Sequence, residues 1–303
     1  LGGRGSDVLF IGDSRAGAAF TPSVMEDEAR RAGVNLRAFN LSGPSSTVLS
    51  DAGILDYVIG QGARPRLVIW GLGKRQASLL DLGLFQRNEA TLGLIKDLSV
   101  RTPDWYNVCT WGFYATGGIR QIMQVPCQYL PQYREQLTSA RRNRGIGWAE
   151  ETDEWGREYN ATKMPNAPVT PAQWQEAISH LSKEKNAVAP FTKEPLVREA
   201  IQFAVERVRS GGGQVVFVNM PLLSGRTAVE RQHGYDDYLL WLSRVARAQE
   251  VRLIDLNTDR GRPADAEFKD TDHLGPQGAA KLTRRVTRGI IIPQLYAGVH
   301  TQP

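Results

Sequence analysis

Short apolar runs rich in β-formers alternate with segments of helical periodicity, and this rhythm constrains the fold more than any other feature. Asp7 to Ile11 is the first run. A helix opens with Pro at its first position, Thr21-Pro22, runs to Ala32 and stops at Gly33. Leu36 to Leu41 is the second run. Ser45 to Ile59 follows with Val48, Ala52, Leu55 and Ile59 on one helical face, and Arg66 to Trp70 is the third run. The order β-α-β-α-β predicts a parallel sheet covered by helices. The rhythm resumes at Pro195. Leu196 to Arg209 is a helix ended by Gly211-Gly212-Gly213, Gln214 to Met220 a fourth strand, Tyr235 to Gln249 a helix, Val251 to Leu256 a fifth strand, and Gly278 to Ile290 a closing helix. The expected architecture is an α/β fold, a three-layer α/β/α sandwich with a mainly parallel five-stranded sheet of flavodoxin-like character. Its site lies beyond the C-terminal strand ends.

Between these halves the alternation lapses. Residues 75–194 read as one long insertion after strand three, with helices at Leu79 to Leu98 and Pro171 to Leu181; a separate domain is the alternative. Residues 7–74 and 195–296 then form the main domain, 1–6 a linker and 297–303 a tail. The start at Leu1 points to a processed protein or an excised domain. The 303 residues, 41% hydrophobic and 23% charged, suffice for a sizeable core and exclude global disorder. The net charge of +5 is diffuse, with no basic run and no nucleic-acid motif, so nucleic acid is not an expected partner. Cys109 and Cys127 lack metal-site spacing and are either one disulfide or two free thiols. No apolar stretch is long enough to span a bilayer.

Two short segments carry chemistry. Gly12-Asp13-Ser14-Arg15 follows the first strand directly, so Ser14 sits on a tight strand-to-helix turn at the sheet's C-terminal edge. The nearby helix N-terminus favours a developing oxyanion. Asp270-Thr271-Asp272-His273 follows the last strand. Of the 4 histidines, His180, His233, His273 and His300, only His273 has an aspartate three residues before it, just ahead of a final helix. That spacing lets one turn present the imidazole to a serine while Asp270 fixes its tautomer. Asp272 competes for the orienting role, although adjacent side chains point apart more readily.

With these blocks the chain resembles the SGNH/GDSL hydrolase superfamily. Gly12-Asp13-Ser14 matches its first block, Gly43 in Asn40-Leu41-Ser42-Gly43 its second, and Asp270 with His273 its last. The resemblance covers about residues 7–74 and 195–296. It implies Ser14 as nucleophile, His273 as general base, Asp270 as orienting acid, and no metal or organic cofactor. One block departs. The family's Gly-x-Asn-Asp after strand three, whose Asn donates to the oxyanion, is replaced by Gly71-Leu72-Gly73-Lys74-Arg75, with Gly73 in the Asn position. The oxyanion hole then rests on the backbone of Ser14 and Gly43, with Gly73 a further candidate. Loss of one such donor costs about 3–4 kcal/mol of transition-state stabilisation. Arg15, Lys74 and Arg75 are candidates to substitute for it or to bind substrate; a solvated loop is the alternative for Lys74 and Arg75.

Gly-Asp-Ser-Arg, Phe39-Asn40, the Trp70 strand end with its Gly-Lys-Arg loop, and Asn219-Met220-Pro221 are similar to SGNH-like proteins tied to bacterial envelope polymers. That resemblance implies hydrolysis or transfer of acyl groups, acetyl above all, on a glycan. It also implies an extracytoplasmic location and a membrane-bound acyl-transfer partner. The insertion holds Trp105, Trp111, Trp148, Trp155 and Trp174, and should emerge on the catalytic side as a lid or substrate platform. Trp111 and Trp148 are candidate sugar-stacking residues, and packing in the insertion's own core is the alternative. A non-catalytic glycan- or partner-binding module is the competing functional class, motivated by the missing Asn.

Overall fold

The computed structural model describes residues 5–43, 46–78, 171–181, 188–193, 195–258 and 260–296. Strands β1 (Val8–Ile11), β2 (Ala38–Asn40), β3 (Leu67–Leu72), β4 (Gln214–Asn219) and β5 (Arg252–Asp255) form one sheet in the order β2-β1-β3-β4-β5. All four pairings are parallel, with Val8 opposite both Ala38 and Leu67, Leu67 opposite Gln214, and Val216 opposite Arg252. The three-layer sandwich expected from the alternation is present.

The strands read as unbroken apolar runs because both faces of the sheet are covered. Alternate residues go to opposite sides. Leu9, Ile11, Val68, Trp70 and Phe217 pack under α3 (Val48–Gly60), α5 (Pro195–Ser210) and α7 (Tyr235–Ala248). Val8, Phe10, Leu67, Ile69, Val216 and Val218 pack under α1 (Ser14–Ala19), α2 (Pro22–Arg31) and α8 (Pro276–Val286). Helix α8 buries Ala279, Leu282, Thr283 and Val286, the i, i+3, i+4, i+7 stripe of a helix lying on a core. It continues through a π turn, Thr287–Ile291, into α9 (Ile292–Tyr296), whereas the sequence pattern ended the closing helix at Ile290.

Two helices were not anticipated: α1, and α6 (Ser224–Arg231) after β4. Helix α4 (Pro171–Leu181) agrees with the sequence reading, but it does not belong only to the insertion. Ile178 packs against Gly225 of α6, and Trp174 and Ile178 border the α8-side core. Phe191 meets Tyr238 and Trp241 at ring-centroid distances of 5.5 and 5.4 Å. The described residues between 171 and 193 therefore pack on the sandwich. Leu79 to Leu98, Trp111, Trp148 and both cysteines lie outside the described residues. Among the described residues, no helix is long and apolar enough to cross a membrane.

The sequence order reverses direction between β1 and β3, and such a switch point opens a crevice at the strand C-termini. Helix α1 is seated there closely. Gly12 has φ of +149°, and a Cβ on it would fall 2.5 Å from the Gly71 carbonyl oxygen and 2.7 Å from Ala16 Cβ. Gly12→Ala is thus both strained in its backbone and blocked by backbone. It should lower unfolding free energy by about 2–4 kcal/mol, seen as a lower urea midpoint with an unchanged slope. A midpoint equal to wild type would mean that α1 does not pack this closely.

Candidate active site

Asp13 caps α1 through Oδ1, which accepts from Arg15 N at 3.0 Å. Ser14 is the first residue of that helix, where the amide has no intrahelical carbonyl to bond. The helix is tied from behind. Thr283 Oγ1 on α8 donates to Ala19 O at 3.0 Å and accepts from Thr21 N at 3.1 Å.

The loop bearing His273 is closed by an antiparallel bridge between Phe268 and Leu274, both buried, and by Lys269 N donating to His273 O at 2.9 Å. Inside it, Asp270 Oδ1 accepts from the backbone N–H of Asp272 at 3.0 Å and of His273 at 2.7 Å. This turn presents the imidazole outward. His273 Nε2 lies 2.8 Å from Ser14 Oγ, and Nδ1 lies 3.0 and 2.9 Å from the two oxygens of Asp270. In the neutral ring Nδ1, facing carboxylates, carries the proton, which leaves Nε2 to accept from the serine hydroxyl. The structure brings together Ser14, Asp270 and His273 as the spacing predicted.

Asp272 departs from expectation. The alternation of neighbouring side chains was expected to carry it away, yet its Oδ1 is 3.2 Å from His273 Nδ1. The tight turn folds both carboxylates onto one ring nitrogen. Asp272 is the more enclosed, with 22% side-chain exposure against 42% for Asp270, so its charge is the less screened. Its other oxygen is 3.5 Å from Arg226 Nη1 on α6. Arg226 donates from Nε to Glu230 at 2.8 Å and from Nη1 to Thr271 Oγ1 at 3.3 Å, and both Arg226 and Glu230 are buried. Burial opposes ionisation of Asp272, but the hydrogen bond with His273 and the Arg226 charge hold it well below the usual carboxylate range. Burial likewise opposes charge on His273. Hydrogen bonds to Asp270 and Asp272 outweigh it and push the imidazole up to about 10.

Asp270, Asp272 and His273 place three candidate ligand atoms within 4.8 Å of one another. The Nδ1···O separations are those of hydrogen bonds, so a shared proton accounts for the group.

A second buried carboxylate organises the neighbouring loops. Asp51 on α3 accepts from Ser46 Oγ, from Trp70 Nε1 at 2.8 Å and from Gln76 Nε2 at 2.5 Å. It joins the segment after Gly43, the end of β3 and the loop after Gly73. Burial pushes it up to about 7 against those three donors. Its role is not legible in the sequence, because a lone Asp in the first turn of a helix looks like an ordinary dipole partner.

Gly43 and Lys74 fall out differently from expectation. The Gly43 N–H donates to Gly12 O at 3.0 Å, so in this structure it is engaged rather than directed at an oxyanion. Lys74 is not a solvated or substrate-facing cation. It is 2% exposed, its Nζ donates to Ala189 O at 3.0 Å and His233 O at 3.2 Å, and burial lowers its pKa. It pins the chain after β3 to two distant loops. Arg15 is 5% exposed and locked to Asp13, with Nε and Nη2 at 2.9 and 2.6 Å from Oδ2. Arg75 is half-buried in the loop after β3.

No protein-family model matches the chain, and no curated protein matches it by sequence. Among solved structures it is similar to one described as the crystal structure of TesA, at 11% identity and a TM-score of 0.43, covering 95% of this chain and 98% of that one. A likeness at that level adds nothing to the architecture read from the sheet itself.

Proposed function

We propose that the chain is a serine-dependent ester hydrolase or O-acyltransferase of the SGNH kind. The observation that carries this reading is the 2.8 Å approach of Ser14 Oγ to His273 Nε2, with carboxylates on the opposite ring nitrogen. Ser14 Oγ attacks the acyl carbon while its proton passes to His273 Nε2. The C–O bond to the leaving alcohol breaks as His273 returns that proton to the departing oxygen. The acyl group then rests on Ser14. Water or a sugar hydroxyl attacks it and gives its proton to His273, which passes it to Ser14 Oγ as the acyl–oxygen bond breaks and the serine is freed. An acetylated glycan is the proposed substrate, at an extracytoplasmic location beside a membrane-bound acyl donor. Support for these three points comes from the resemblance to envelope-polymer proteins alone.

Incubation with an aryl acetate and a candidate glycan separates the two outcomes. Acetate alone marks a hydrolase, and acetyl-glycan marks a transferase. No acetyl release above the uncatalysed rate would contradict both. The engaged Gly43 N–H and the absence of a side chain at Gly73 favour a second reading, a binding module that holds a glycan without turnover.

The histidine has a kinetic consequence. Only neutral His273 accepts the serine proton, and its pKa is raised to about 10. The rate constant kcat/KM should therefore climb with pH through the neutral range toward an alkaline limb. Asp272→Asn removes one of the two anions that favour the imidazolium, so the limb should move to lower pH. A limb at the ordinary histidine value, unmoved by Asp272→Asn, would contradict this. The same shift bears on stability. The native state holds this proton more tightly than the unfolded chain does, so its contribution is complete below about 6.5 and fades as pH rises to about 10.

A further inference from the structure

The position after β3 where the resemblance puts a side-chain donor holds a glycine, and the space over that glycine is filled. A Cβ built on Gly73 would fall 2.1 Å from Arg15 Nη2, 2.4 Å from Nη1 and 2.5 Å from Cζ. No side chain fits at such distances. The Arg15 guanidinium lies against the Gly73 Cα, where the missing side chain would begin.

The guanidinium is also held in place. Asp13 Oδ2 takes Nε and Nη2, and Asp13 Oδ1 takes the Arg15 backbone N–H. A guanidinium carries five N–H donors in a rigid fork. The grip on Asp13 occupies the Nε edge, and Nη1 makes no hydrogen bond to any described residue. Arg15 follows Ser14 directly, so the Ser14 amide and this guanidinium ride on the same turn. The second backbone donor, Gly43 N–H, is already bonded to Gly12. The site therefore needs a donor from another source.

We propose that Arg15, through Nη1, donates to the oxyanion in place of the side chain absent at position 73, and that Gly73 is glycine because the guanidinium must lie there. The inference rests on the reading of Ser14 as nucleophile. It assigns the chain a charged donor fixed by the residue before the nucleophile, rather than a neutral amide from the end of β3. In the resting enzyme Asp13 balances the charge. As the tetrahedral oxyanion forms, the guanidinium bridges two anions, an arrangement that strengthens only in the transition state.

The test is steady-state hydrolysis of an aryl acetate together with inhibition by a phenylboronic acid, whose adduct with serine mimics the tetrahedral intermediate. Arg15→Gln should lower kcat about 100- to 1000-fold with KM little changed, and boronate affinity should fall in parallel. Gly73→Asn alone should displace the guanidinium and lose activity. Arg15→Ala with Gly73→Asn should recover above either single change, since the Asn then has room to donate. A purely structural Arg15 would give no such rescue and no selective loss of boronate affinity. Wild-type kcat in Arg15→Gln, or a double variant no better than the singles, would overturn the proposal. If Arg15→Gln does not fold, the Gly73→Asn single and the double variant decide alone. Loss of turnover in Ser14→Ala beside full turnover in Arg15→Gln discards only the role of Arg15. Full turnover in Ser14→Ala discards the nucleophile as well.

Discussion

Ser14→Ala should lower kcat on an aryl acetate by about a million-fold, the scale on which loss of a serine nucleophile acts in enzymes of this chemistry. The size follows from what is removed. On the proposed mechanism the hydroxyl at 2.8 Å from His273 Nε2 forms the covalent intermediate. Without it, water must attack directly, with only binding and oxyanion donors left to help. Stability should hardly change. Ser14 is part-exposed at a helix start, Asp13 supplies the cap, and the lost hydroxyl bonds only His273. Unaltered turnover in a folded Ser14→Ala protein would mean that the chemistry lies elsewhere.

Replacement of both acidic partners of the imidazole should cost about 10,000-fold, the loss seen when a triad histidine is left in the wrong tautomer. Each single change should cost far less. After Asp270→Asn, Asp272 Oδ1 still stands 3.2 Å from Nδ1, and after Asp272→Asn both oxygens of Asp270 remain within 3.0 Å. The Asn side chain at 270 also keeps an oxygen to accept the Asp272 and His273 backbone N–H groups, so the turn survives. The effects should therefore be strongly non-additive, with the double loss well above the product of the singles. A full loss from Asp270→Asn alone would show that Asp272 does not orient the ring.

The sheet was legible in the sequence because its physical signal is local. Val8–Ile11, Leu67–Leu72 and Gln214–Asn219 are apolar runs bounded by turn residues, and a strand buried on both faces needs no partner to be recognised. Helix α1 was not legible. Six residues with Gly17 inside are too few to display a period, and the helix forms because its small side chains fit against Gly71 and Ser42. Helix α6 lacks an apolar stripe. Arg226 and Glu230 at i, i+4 look like a solvated pair, whereas in the fold both are buried and Asp272 and Thr271 approach Arg226. Ser14, Asp270 and His273 could be paired across the chain because few histidines compete and the strand order brings those loops together. Asp272 could not, since its reach depends on the tight turn around Asp270 Oδ1. The burial of Lys74 was not legible, because a cation in a loop is exposed by default and its burial is set by the Ala189 and His233 carbonyls.

The central claim is that Ser14 is activated by His273. Reaction with a fluorophosphonate, followed by peptide mapping, tests it most directly, because the reagent requires a serine made nucleophilic by a neighbouring base. A single adduct on Ser14 is expected, formed faster as pH rises toward 10 and lost in His273→Ala while that variant remains folded. No adduct on Ser14, or an adduct formed equally fast without His273, would contradict it.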